Sequence, residues 1–361
     1  MSDMGKTVRA VDPARVIKQL AQGDQFVPYT EAGLTMQWGG LSDPFDENER
    51  QFGISLQLMK WFREREFPIR YCTKGTWWTE DERYLELMRG AGAFWNVMYS
   101  IITLDEEKAR RVEVLAPSPK ERLLAIGRLA KIGIPVTLRL RPFIIGVSTP
   151  TYLDLIRQAH DAGATAVSTE FLCLEGRAST NAQMRFAAIS RVAGYDILKM
   201  YKAHSATCGY YRLNREIKKP YIEAMRDQAH KLGMRFAVSD AHFKELCDTG
   251  SCCALPDGFT YHKGQWTEAL QIAKKNGAVS WSDIEPSIVG MDFLWQRAGG
   301  FNTNSTKRRA QYYYATMKQW LRMKWNDTKG SNGLYRYFGG ILAPDHKDVN
   351  GDMVYRYTGD R

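Results

Sequence analysis

The chain has no cysteine before Cys72, no run of about 18 apolar residues and no signal-peptide core in its first twenty residues. The missing apolar runs argue against a membrane span, and the charged start argues against secretion, so a cytoplasmic protein without a membrane partner is expected. No internal repeat or low-complexity tract stands out, which sets aside solenoids and disordered linkers. Acid is also missing locally: between Lys307 and Lys324 there is no Asp or Glu. In a cytoplasmic protein the six cysteines, Cys72, Cys173, Cys208, Cys247, Cys252 and Cys253, read as buried thiols or metal ligands ahead of a disulfide scaffold. Cys247-x4-Cys252-Cys253 is a tight cluster that matches no common zinc spacing. It suits an auxiliary iron–sulfur site if Cys208 or Cys173 folds back as a further ligand.

What is present is ordinary in bulk. Hydrophobic content of 44% and charged content of 25% describe a globular chain with one large core or two modest ones. The net charge of +10 fits a polyanionic partner, though it also fits a merely basic protein. The acid-free stretch is more pointed. Lys307, Arg308, Arg309, Lys318, Arg322 and Lys324 run beside Tyr312, Tyr313, Tyr314, Trp320 and Trp325. Cations can contact phosphates while rings stack on bases, so these lysines and arginines are candidate contacts for DNA or RNA. The competing reading is an amphipathic helix with its rings turned inward.

Strand and helix patterns alternate along the first two thirds. Gly33 to Phe45 reads as a buried strand ending at Gly39-Gly40 and a proline-closed loop, where the missing Cβ atoms let a ligand approach the backbone. Residues 49–68, 79–92, 118–132 and 151–162 are helical in pattern; 69–73, 94–102, 134–145 and 165–172 are strands. Ser118-Pro119-Lys-Glu121 combines an N-cap, a first-position proline and an early acid. Further helices are expected at 181–200 and 215–232, a strand at 234–239 and a cysteine-containing loop at 245–265. The order demands a parallel sheet, because each return crossover needs a helix. The strands read as continuously apolar, which predicts cover on both faces. The division expected is an α/β domain over 1–245 and a C-terminal helical extension over 246–361.

Several phrases occur in a telling order: Gly39-Gly40-Leu-Ser42-Asp43-Pro44-Phe45, Cys72-Thr73-Lys74, Ser100-Ile-Ile-Thr103, Ala116-Pro117-Ser118-Pro119, Gly133-Ile134-Pro135 and Arg141-Pro142-Phe143. As a set they resemble the radical S-adenosylmethionine enzymes, in the branch around spore photoproduct lyase and DNA repair photolyase-like proteins. The resemblance implies a partial (β/α)6 TIM-like barrel. It implies S-adenosylmethionine and a 4Fe-4S cluster as cofactors, an electron donor such as flavodoxin or ferredoxin, and hydrogen abstraction by a 5'-deoxyadenosyl radical on nucleic acid or a nucleotide. It places Gly39 and Gly40 beside the cofactor's amine, with Ser42 and Asp43 shaping that end and Thr73 and Lys74 ending the next strand. Ser100 falls to the ribose or carboxylate, Arg139 and Arg141 to the carboxylate or a substrate phosphate, and Glu170 to a ribose hydroxyl.

One element of the family pattern has no counterpart. The Cys-x3-Cys-x2-Cys loop belongs upstream of the double glycine, where this chain has no cysteine. The first strand is therefore missing or altered, and radical chemistry would depend on a cluster segment supplied by a separate chain. The alternatives are a truncated frame and a catalytically inactive nucleic-acid-binding homologue. A non-radical enzyme of phosphosugars or glycans is a further class, without a paired carboxylate motif to support it.

Overall fold

The computed structural model describes residues 11–23, 26–31, 33–40, 42–175, 179–205, 210–249, 253–259, 266–288, 317–329, 333–338 and 340–359. Six strands form one wholly parallel sheet: β1 (Met36–Trp38), β2 (Ile69–Thr73), β3 (Trp95–Ser100), β4 (Val136–Phe143), β5 (Ala166–Phe171) and β8 (Arg235–Val238). They lie in the order β1-β2-β3-β4-β5-β8, so every crossover steps the same way. Right-handed crossovers that never reverse direction put their helices on a single face of the sheet. Among the described residues β1 and β8 do not pair, and the sheet stays open. A short antiparallel pair, β6 (Leu174–Glu175) with β7 (Tyr210–Tyr211), follows β5.

The strands have two unlike faces. Ile69, Tyr71, Trp95, Val97, Tyr99, Val136, Leu138 and Leu140 join a core with Met59 and Phe62 of the helix Ile54–Arg63, Ile126 and Leu129 of Pro119–Lys131, and Leu155 of Tyr152–Asp161. The intervening positions are Arg70, Cys72, Asn96, Met98, Ser100, Thr137, Arg139 and Arg141, and side chains alternate along a strand. This corrects the expectation of strands apolar on both faces. The aromatic and branched residues dominate the eye, yet in β2, β3 and β4 every second position is polar or sulfur-bearing.

Local capping follows the sequence closely in places. Ser118 and Glu121 close a reciprocal capping box on Pro119–Lys131. Elsewhere glycine divides what periodicity joined. The 49–68 pattern is two helices, Glu47–Phe52 and Ile54–Arg63, broken at Gly53 with φ +59°. Glu49 is buried at that break, accepting from Ser55 N at 2.7 Å, Leu56 N at 2.9 Å and Tyr84 Oη at 2.6 Å. The 181–200 pattern likewise divides into Thr180–Ala193 and Ile197–Ala203 at Gly194. None of the described helices is long and apolar enough to cross a membrane.

The C-terminal region holds a second core. β9 (Ala278–Val279), β10 (Leu342–Lys347) and β11 (Met353–Tyr357) form an antiparallel sheet in the order β10-β11-β9. The sequence reads as turns here because Pro344 and a run of Asp and Gly interrupt it. Pro344 is tolerated on β10 because that strand is an edge. Trp266, Trp281, Trp325 and Tyr355 pack together, with Trp325 Nε1 donating to Met353 O and Tyr355 Oη to Trp325 O, each at 2.5 Å. Trp325 is therefore a core residue, not a stacking platform for bases. Trp325→Ala is expected to destabilise this unit by about 3–5 kcal/mol in urea denaturation. A loss below about 1 kcal/mol would contradict its place in that core.

Candidate functional site

The polar face of the sheet is built row by row from strand register. Gln37, Arg70 and Asn96 form one row across β1–β3. Cys72, Met98, Thr137, Ala166 and Arg235 form the next across β2–β8, and Ser100, Arg139, Ser168 and Ala237 a third. Successive rows shift toward the carboxyl ends of the strands, where open parallel sheets bind ligands.

Charges on this face are unevenly matched. Arg139 Nη1 donates to Ser100 Oγ at 3.1 Å, and Arg141 Nη2 lies 2.5 Å from Glu170 Oε2. Burial, with the like charge of Arg141, pushes the Arg139 guanidinium below its ordinary value. Arg70 donates to Gln37 Oε1. Arg70 Nε, Arg235 Nε and Asn96 Oδ1 are buried atoms with no hydrogen-bond partner among the described residues. Lys218 and Arg215 of the helix Arg215–Lys231 meet the segment after β8: Lys218 pairs with Asp240, and Arg215 Nη2 lies 3.5 Å from Glu245 Oε1. Both cations also stand over the Phe243 ring, at 5.7 and 5.2 Å. Cys173 is near this group; burial pushes its thiol up, which Glu170 and Asp240 reinforce and Arg212 opposes.

The residues expected at a cofactor site divide into two groups. Ser100, Arg139, Arg141 and Glu170 come together on adjacent strands. Asp43 and Thr73 are engaged by the protein itself. Asp43 accepts from Thr73 Oγ1 at 2.7 Å, Lys74 N at 2.6 Å, Phe45 N at 3.0 Å and Gly75 N at 3.2 Å, tying the loop after β1 to the end of β2. Lys74 Nζ lies 2.8 Å from Glu113 Oε1, whose other oxygen is 2.8 Å from Arg122 Nη1. Arg122 also donates to Ser100 O at 2.6 Å, so the buried Arg122–Glu113 pair, with Lys74 at its solvent side, fixes the end of β3. Ser42 lines a cavity of about 440 Å³ together with Gln37, Asp43, Phe52, Leu58 and Phe62.

The two glycines differ. Gly39 has φ +97°, and a Cβ there would lie 2.1 Å from Cys72 O. At Gly40 a Cβ would meet only the Gln37 side-chain nitrogen, at 3.2 Å. Backbone packing against β2 thus demands glycine at 39 and not at 40.

The remaining expected contacts are dispersed. Lys318 pairs with Glu285, and Arg322 is bidentate to Asp352, Nε to Oδ1 at 2.8 Å and Nη2 to Oδ2 at 2.6 Å. The fold supplies the acids that the local run lacks. Lys324 lies half-buried on the same helix, Met317–Trp325. Lys307, Arg308 and Arg309 lie outside the described residues, as do Cys208 and Cys252. Cys247 and Cys253 enter different surroundings. Cys247 Sγ exchanges contacts with the Val238 backbone at 3.3 and 3.4 Å, while Cys253 packs on Cys72 and Met98. Among the described residues no group of three or more His, Cys, Asp or Glu is placed to hold a metal ion.

Sequence reading passed over Arg70, Arg235, Lys218 and Asp240. The signal for the first was present in Ile69-Arg-Tyr-Cys-Thr73, where polar and apolar residues alternate.

No protein-family model and no curated protein matches the chain significantly. Two solved structures of spore photoproduct lyase mutants share 14% identity with it. One, with bound AdoMet and dinucleoside spore photoproduct, has a TM-score of 0.43 and covers 61% of this chain and 64% of its own. The other, with dinucleoside spore photoproduct, has a TM-score of 0.40 and covers 56% and 60%. The chain therefore spans less than two thirds of each, and neither is close enough to place a residue.

Gly39→Ala is expected to cost about 3 kcal/mol or more through strain and overlap, and Gly40→Ala less than about 1 kcal/mol. Thermal denaturation of the pair checks this, and equal costs would contradict the packing described for Gly39.

Proposed function

We propose that this chain binds nucleic acid or a nucleotide on the polar face of its sheet, and that alone it does not turn the ligand over. The observation that carries the reading is the charge on that face. Arg70, Arg139 and Arg235 share it by register, Arg141 lies at the irregular end of β4 against Glu170, and Glu170 is the carboxylate among those strand positions. Guanidinium groups in excess over carboxylate, partly desolvated, suit phosphate oxygens. The orphaned Arg70 Nε and Arg235 Nε are donors of that kind. The net charge of +10 has the same sign and would speed encounter with a polyanion. The basic helix is the weaker carrier, since Lys318 and Arg322 are engaged by acids.

Descent from the radical S-adenosylmethionine branch belongs to this proposal. So do the partial (β/α)6 barrel with its first strand missing or altered, and the division at 1–245 and 246–361. Convergence of Ser100, Arg139, Arg141 and Glu170 supports it and favours a second reading. In that reading the chain is one part of an enzyme whose cluster segment comes from another chain, with Arg139 and Arg141 holding the carboxylate of S-adenosylmethionine. The described thiols do not fit a 4Fe-4S cluster, which needs several thiolates on one centre.

Fluorescence anisotropy with a labelled single-stranded oligonucleotide, repeated across salt concentrations, tests the reading. Arg139→Ala and Arg141→Ala, each checked for folding, should weaken binding and flatten the log–log salt slope by about 0.7 per lost phosphate contact. Slopes unchanged in both variants would overturn it. Displacement of the oligonucleotide by S-adenosylmethionine would favour the second reading.

A further inference from the structure

Three sulfur-bearing residues pack together on the polar face. Cys72 and Met98 are register partners on β2 and β3, with Sγ 3.7 Å from Sδ, and Cys253 is brought back against them from beyond β8. Their residues are 3%, 1% and 9% exposed, and neither cysteine is in a disulfide. Sulfur side chains commonly serve as pliable core filling. These sit apart from the main core, however, on the face that carries Asn96, Ser100, Thr137 and Arg139. Arg139 is close enough to both cysteines for their ionised forms to favour its charge, whereas Arg141 is matched by Glu170.

We propose that Cys72, Met98 and Cys253 form a binding site for a soft monovalent cation, Cu(I). Two sulfurs 3.7 Å apart, each about 2.3 Å from one metal, subtend an angle of about 107° at it. That is an ordinary angle between ligands, so the spacing of the pair is compatible with sharing one ion. Thiolate and thioether donors together select Cu(I) among the common metals. Zn(II) favours four nitrogen, sulfur or carboxylate ligands, and a neutral thioether is a poor one. Binding releases the two thiol protons to solvent, leaving two thiolates and one cation with a net charge of −1. Arg139, half-buried beside the two cysteines, supplies the balancing positive charge. The site shares Arg139 with the nucleotide reading but does not rest on it.

The test is anaerobic titration of the purified full chain with Cu(I) against bicinchoninate, with X-ray absorption at the copper edge and a thermal melt of each variant. One equivalent with sulfur-only ligation is expected. Cys72→Ser and Cys253→Ser should each abolish that equivalent, and Cys247→Ser should leave it intact. Met98→Leu, which conserves volume, should weaken it by about tenfold. Retention of the same sulfur-bound ion by folded Cys72→Ser would overturn the site, as would its loss in Cys247→Ser or nitrogen and oxygen ligation in the native sequence. Should the serine variants not fold, Met98→Leu decides: unchanged affinity and an unchanged edge in that variant would contradict the proposal.

Discussion

Everything on the candidate face depends on one topological constraint, the one-way stepping of a parallel sheet. Because β1, β2, β3, β4, β5 and β8 follow one another without reversal, right-handed crossovers keep the helices on one side. That side takes Tyr71, Trp95, Tyr99 and Leu138 into a core with the helices. The other side carries most of the polar strand residues, and it is there that Arg70, Ser100, Arg139 and Arg141 gather. A sheet that reversed its stepping would cover both faces and could not tolerate four arginines in its strands.

Positive charge is distributed with discrimination across the molecule. Lys74 and Arg122 close on buried Glu113, Arg322 closes on Asp352, and Lys218 closes on Asp240. These cations hold loop ends and helices in place, since removing one partner would leave a buried charge without compensation. The polar face is different in kind. Arg139 has a hydroxyl for its partner, and Arg70 has an amide oxygen. In the proposed function such groups turn the unmatched part of their charge toward a ligand.

Much of the fold is legible in the chain. The β–α alternation, the capping box at Ser118–Glu121 and the break at Gly133 all follow from local chemistry that tertiary contacts leave alone. The two-sidedness of the strands was also readable, in Trp95-Asn-Val-Met-Tyr-Ser100 and Val136-Thr-Leu-Arg-Leu-Arg141, but large aromatic residues mask the alternation. What local pattern does not contain is partnership over distance. No feature of the run Lys307–Lys324 announces that Glu285 and Asp352 will meet Lys318 and Arg322, and nothing near Cys247 announces that Cys253 will leave it for Cys72. Gly39 shows the same limit: a glycine read as room for a ligand is required by the carbonyl of Cys72.

The central claim is that the polar face of the parallel sheet, and not the basic helix, carries the chain's ligand. Photo-crosslinking of a bound oligonucleotide, followed by mass spectrometry of the joined peptides, tests it most directly. The account predicts crosslinks in the peptides that carry Arg70, Ser100, Arg139 and Arg141. Crosslinks confined to the helix Met317–Trp325, with the strand peptides unmarked, would contradict it.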